Sequence, residues 1–147
     1  MSRVVFKFLS YFAAVFAADQ IIKWIFLNGF RYKSEFIDLI LVYNKGVAFS
    51  MFSFLGENLK YIQLALIAVL LGYLFGQKEL LRSHSTAFGL LLGGGCSNIL
   101  DRFVHGGVVD YIFWHKWFNF AVFNFADMMI DLAIVIILIQ SFLYRKK

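Results

Sequence analysis

Four stretches of this chain are too long and too apolar to be surface helices of a water-soluble domain, and that limits the fold before anything else does. They run over residues 4–26, 59–75, 87–104 and 126–144. Crossing the hydrocarbon of a bilayer takes about 20 helical residues. Backbone at that depth must satisfy its own N–H and C=O groups, so each stretch is expected to be a helix. With 61% apolar residues, 16% charged residues and a mean hydropathy of +0.75, water is not the main solvent of this chain. The expectation is an all-α membrane protein with four transmembrane helices, a single domain over residues 1–147.

The net charge of +5 gathers at the ends of the apolar stretches rather than in a continuous stripe. It therefore points to membrane topology and not to a nucleic-acid partner. Four spans put both termini on one side. Arg3 and Lys7 flank the first stretch, Lys78 and Arg82 sit between the second and third, and Arg145, Lys146 and Lys147 close the sequence. The positive-inside rule places these in the cytoplasm, although Arg31, Lys33 and Lys45 fall in the longer opposite loop. A cleaved signal peptide is the rival reading of the first stretch, with Ala14, Ala17 and Ala18 as its small residues. Asp19 and Lys23, four apart and so on one helical face, favour a retained helix whose polar pair points inward. The single Cys96 can form no internal disulfide, and proline is absent.

Two segments are expected outside the membrane on the other side. Within residues 27–58, the stretch 36–54 is rich in Ile, Val, Phe and Tyr and is broken at Asn44, Lys45 and Gly46. That is the pattern of strands meeting at a turn, a small extracytoplasmic β cradle. Within residues 105–125, the stretch 111–120 holds Trp114, Trp117 and several Phe, as an interfacial aromatic loop or helix would.

An ionisable side chain in the bilayer costs at least ~2.5 kcal/mol on insertion scales, so Asp19, Lys23, Asp101, Arg102, Asp110, Asp127 and Asp131 each need a reason. Gly93, Gly94 and Gly95 offer a close approach to another helix. Just beyond them Asn98, Asp101 and Arg102 share a face, where Asp101 and Arg102 are expected to neutralise each other. Asp110 follows that helix and Asp127 begins the last one, so two carboxylates reach the same membrane face. Held close in a partly dry site, the two share one proton, the state in which one carboxylate activates water while the other protonates a carbonyl. The bland alternative is that both aspartates only cap helix ends. Rival functions are a small transporter, with the acids lining an ion path, and a docking subunit built around the glycine-rich helix. The scattered His84, His105 and His115 suggest no metal site.

Four blocks of residues carry a resemblance. They are Asp19-Gln20 with Lys23, Asn44-Lys45-Gly46-Val47-Ala48-Phe49-Ser50, Asn98-Ile99-Leu100-Asp101-Arg102 leading to Gly107-Val108-Val109-Asp110-Tyr111, and Phe123-Asn124-Phe125-Ala126-Asp127. In order and spacing they resemble the lipoprotein signal peptidase (signal peptidase II) family of aspartic peptidases. The resemblance implies Asp110 and Asp127 as the catalytic dyad, supported by Asp19, Lys23, Asn44, Gly46, Asn98, Asp101, Arg102 and Asn124. It further implies a monomeric enzyme of the bacterial inner membrane with its site near the periplasmic face. Such an enzyme uses no metal or cofactor, contacts membrane lipid and is inhibited by globomycin-type compounds. It cuts diacylglyceryl-modified prolipoproteins before the lipidated cysteine, with 27–58 as cradle and 105–125 as lid. Two features depart from the family pattern: Ser97 where glycine is usual, and Asp131 one turn past Asp127.

Overall fold

The structure, a computed structural model, describes residues 2–46 and 53–144. The motif positions Val47, Ala48, Phe49 and Ser50 and the basic residues 145–147 lie outside the described residues. The elements in order are α1 (Ser2–Leu27), β1 (Ile37–Asn44), a 3-10 turn (Ser53–Leu55), α2 (Asn58–Gly76), α3 (Lys78–His105), β2 (Val108–Trp114) and α4 (Phe125–Tyr144).

The chain is thus mostly helical with one small sheet. Three helices, α1, α2 and α4, are long and apolar enough to cross a membrane. Their large apolar side chains largely face outward, among them Phe6 and Trp24 on α1, Leu66 and Val69 on α2, and Leu138 and Phe142 on α4. Such a surface is stable only against lipid. The third helix differs in kind. It packs against the other three and buries Ser97, Asp101 and Arg102 together with Gly89, Gly93 and Gly94. It also begins earlier than hydropathy suggests, because a polar first segment, Lys78 onward, joins the apolar part across a kink at His84 (φ −122°, ψ 22°).

Close packing around α3 depends on missing side chains. A Cβ on Gly93 would stand 2.7 Å from the Phe12 carbonyl oxygen of α1, and one on Gly94 would stand 2.8 Å from the Ala126 carbonyl oxygen of α4. Gly89 extends the same seam, its Cβ position 2.7 Å from the Phe8 carbonyl oxygen. Glycine is needed again at Gly106, whose φ of 71° turns the chain from the end of α3 into β2.

Composition marks 36–54 as strands meeting at a turn. Its first part is the strand β1, which pairs antiparallel with the distant β2, with Val42 opposite Asp110 and Asn44 opposite Val108, while residues 47–52 of the expected second arm lie outside the described residues. Local patterning identifies a strand without identifying its partner. For the same reason the aromatic segment is neither simply loop nor helix: Tyr111 to Trp114 belong to β2, and the chain then loops back to put Phe123 beside Ile112.

Gly94→Ala should force α4 away from α3 and lower stability by about 1–3 kcal/mol, the usual cost of overpacking. Thermal unfolding in detergent checks this against Gly72→Ala, where an added Cβ meets nothing within 4 Å.

Candidate active site

The first turn of α4 is the starting point, because the first N–H groups of any helix lack partners within it. Here all of them are satisfied. The Phe125 N–H donates to the Tyr111 hydroxyl at 2.9 Å, Ala126 to Asp19 Oδ1 at 2.9 Å, Asp127 to Asn124 Oδ1 at 2.9 Å and Met128 to the Asn124 carbonyl at 3.4 Å. Asp127 Oδ2 in turn accepts the Asn124 N–H at 3.1 Å. Asn124 and Asp127 thereby form a reciprocal capping box, which fixes both side chains. Asp127 thus does cap the helix. That role leaves Oδ1 of the same carboxylate engaged by Asn98 Nδ2 at 2.9 Å and the residue on the wall of a cavity.

Behind this turn lies Lys23, 1% exposed. Its ammonium stands 2.6 Å from Asp19 Oδ2, 2.6 Å from Asp101 Oδ2 and 2.8 Å from Asn98 Oδ1. Each acceptor reaches on to another element. Asp19 holds the Ala126 N–H of α4, Asp101 accepts the Val109 N–H of β2 at 3.0 Å, and Asn98 contacts both Asp127 and Asn124. Two carboxylates and one ammonium would leave oxygen lone pairs bare in the interior. Gln20, donating to Asp101 at 3.0 Å, and Ser97, donating to Asp19 at 2.6 Å, occupy them.

Asp110 arrives from β2 and is 2% exposed. Asn124 Nδ2 donates to its Oδ1 at 2.7 Å and Asn44 Nδ2 to its Oδ2 at 3.0 Å. Asn44 sits diagonally across the β1–β2 ladder from Asp110, so strand register delivers it to the same face. Arg102 holds the end of β1, donating to the Asn44 carbonyl at 3.3 Å and to the Gly46 carbonyl. Gly107 lies against the same spot, since a Cβ there would come 3.1 Å from the Asn44 carbonyl oxygen.

Asp110 and Asp127 open onto one cavity of about 490 Å³, lined also by Asn44, Asn98, Arg102 and Phe123. Burial, with the Asp127 carboxylate nearby, pushes the Asp110 carboxyl up to about 7. A proton retained on this pair at neutral pH, beside room for a water and a peptide, is the chemistry of acid-base hydrolysis.

Of the residues singled out in the sequence, Asp19, Lys23, Asn44, Asn98, Asp101, Asn124, Asp110 and Asp127 form one connected polar cluster, and Arg102 with Gly46 braces its edge. The pairing expected between Asp101 and Arg102 is not the one found. Neighbours on a helix point about 100° apart, and Asp101 turns to Lys23 while Arg102 turns to the carbonyls of Asn44 and Gly46. Gln20 and Tyr111 belong to the motif blocks, but their residue types alone do not mark them as site residues. The Tyr111 hydroxyl caps α4, and its ring stacks on Phe26 at 4.2 Å. Ser97, fully buried, is a small residue that donates a hydrogen bond to Asp19.

The family described as "Signal peptidase (SPase) II" matches residues 11–143. A lipoprotein signal peptidase of Campylobacter jejuni is 57% identical over 145 residues, covering 99% of this chain and 93% of that protein. One from Helicobacter pylori is 52% identical over 140 residues, covering 95% and 89%. A solved structure titled as a bacterial membrane enzyme superposes with a TM-score of 0.79 at 25% identity, covering 95% of this chain and 89% of that one.

Lys23→Met would leave Asp19 and Asp101 buried without their cation. Removing one partner of a buried pair costs about 3–5 kcal/mol, measurable as loss of thermal stability in detergent. Asp110 gives a pH signature. Its carboxyl is raised from 3.8 to about 7 in the folded protein, so between those values the native state holds a proton that the unfolded chain has released. Stability should therefore fall as pH rises through that window, and Asp110→Asn should flatten the fall.

Proposed function

The chain belongs to the signal peptidase II family and is a peptidase of that kind, and on this premise we propose that Asp110 and Asp127 are the catalytic dyad with which it removes signal peptides from diacylglyceryl-modified prolipoproteins. The observation that carries the assignment is the convergence of both carboxylates on one cavity, with Asn124 donating to each, from its side-chain amide to Asp110 and from its backbone N–H to Asp127. The cut falls before the lipidated cysteine.

In the reaction Asp110, holding the proton, donates it toward the scissile carbonyl oxygen. Asp127, at the positive end of α4 where negative charge is favoured, takes a proton from water as the water oxygen attacks the carbonyl carbon. Collapse of the tetrahedral species returns a proton to the leaving cysteine nitrogen and regenerates the pair. Asn44, Asn98 and Asn124 hold the two carboxyls in place, so orientation is set before substrate arrives. Asp19, Lys23, Asp101, Arg102 and Gly46 hold those holders.

In the membrane reading, α3 is the fourth span, enclosed by the three apolar ones, and both termini face the cytoplasm of an inner membrane. The β1–β2 sheet is then a periplasmic cradle within residues 27–58 and 105–125, and the aromatic loop after β2 is a lid at the interface. Exposed Trp117, Phe118 and Phe120 on that loop suit this depth. Acyl chains remaining in the bilayer would hold the scissile bond level with the dyad, turning a search into positioning.

Purified protein incubated with a diacylglyceryl-modified prolipoprotein should release the shortened product. Asp110→Asn or Asp127→Asn should lower the rate at least ~100-fold, the lower end of what acid-base groups contribute, without preventing substrate binding. Normal cutting by either variant would remove the dyad. The rate should also decline as pH rises above about 7, where Asp110 loses its proton, and a substrate without the lipid should be cut poorly.

A further inference from the structure

The cavity wall carries two polar side chains that the dyad and its supports leave unused. Gln63 lies in the second turn of α2 and Asp131 in the second turn of α4, two helices otherwise apolar over this depth. Both line the cavity together with Asp110 and Asp127. Asp131 is four residues past Asp127, hence on the same face and about 6 Å further along the helix, on the side away from the β sheet. Its side chain is exposed and takes part in no salt bridge among the described residues. Gln63 is half-buried, and its Oε1 is buried without a hydrogen-bond partner among the described residues. An acid on the wall of a membrane-level cavity, and beside it an amide whose enclosed oxygen finds no donor until the side chain turns toward that cavity, are costly unless a ligand presents donors to them.

The substrate chemistry supplies such donors. A peptide is cut only where its backbone is unwound, and an unwound strand at membrane depth has N–H groups that neither lipid nor its own helix can satisfy. On the signal-peptide side of the scissile bond, that strand continues deeper than the dyad, toward the level of Asp131. We propose that Gln63 and Asp131 form an acceptor subsite for the backbone N–H groups of this unwound segment, immediately amino-terminal to the scissile bond. The inference rests on the peptidase reading above. Met128, Ile130 and Phe123 line the same cavity and give the segment's side chains an apolar bed. A subsite reading backbone amides positions substrate and leaves its side-chain sequence free to vary.

The test pairs enzyme variants with substrates in which a single backbone amide in that segment is replaced by an ester, removing one N–H at constant shape. The double variant Gln63→Leu/Asp131→Leu should cut the all-amide lipid-modified substrate with kcat/KM lowered about tenfold or more. The loss should lie mainly in KM, since these bonds form before the transition state. Asp131→Asn, which keeps an acceptor oxygen, should recover most of it. At one or two positions the ester should penalise the native protein by a similar factor and the double variant by much less. An unchanged double variant, or an ester penalty equal in both proteins, overturns the subsite while leaving the dyad standing. Failure of the native protein to cut the all-amide substrate overturns the peptidase reading and the subsite together. If the double variant does not fold, Gln63→Met alone against the ester series decides the same question.

Discussion

One buried ammonium holds this molecule together at the level of the cavity onto which Asp110 and Asp127 open. Lys23 pairs with Asp19 and Asp101 and hydrogen-bonds Asn98, and through these three it reaches α4, β2 and the two residues of the α4 capping box. Cation and anions in a low-dielectric interior attract strongly, yet each has a heavy desolvation cost, so the arrangement persists only because every remaining oxygen is occupied. Ser97 and Gln20 complete that occupation. The same network that joins three helices and a strand also sets the positions of Asp110 and Asp127, so the groups that stabilise the fold and the groups that orient the site are largely the same atoms.

Around this polar centre the protein is built inside out relative to a soluble domain. Apolar side chains of α1, α2 and α4 face outward, while α3 sits among them and buries Gly89, Gly93 and Gly94 with Asp101 and Arg102. Hydrophobic burial supplies little cohesion between helices in lipid, and so contact distance matters more. The Gly89, Gly93 and Gly94 seam brings α1 and α4 close enough for Asp19 to reach the N–H of Ala126. A thicker α3 would separate those partners, and the polar centre would lose a member.

How much was legible in the sequence depended on whether the signal was local. Apolar length marks helices, and it did so for α1, α2 and α4, while the kink at His84 and the polar start of α3 made that helix longer than its hydropathy suggests. Composition marked β1 as a strand, but its pairing with β2, more than sixty residues away, is a matter of tertiary register. Asp101 shows the same division. Its place on a helix face followed from spacing, whereas its choice of Lys23 over the adjacent Arg102 depended on where α1 packs. Tyr111 carried no signal for helix capping, since an aromatic at the interface is expected for other reasons.

The sequence alone determined that this chain lives in a membrane, that it is mainly helical, and which family it belongs to, because length, hydropathy and ordered motifs are properties of the chain read along itself. Only the tertiary structure decided which polar groups satisfy one another. In an interior without water every donor and acceptor must find a partner across elements far apart in sequence, and that matching exists only once the helices are packed.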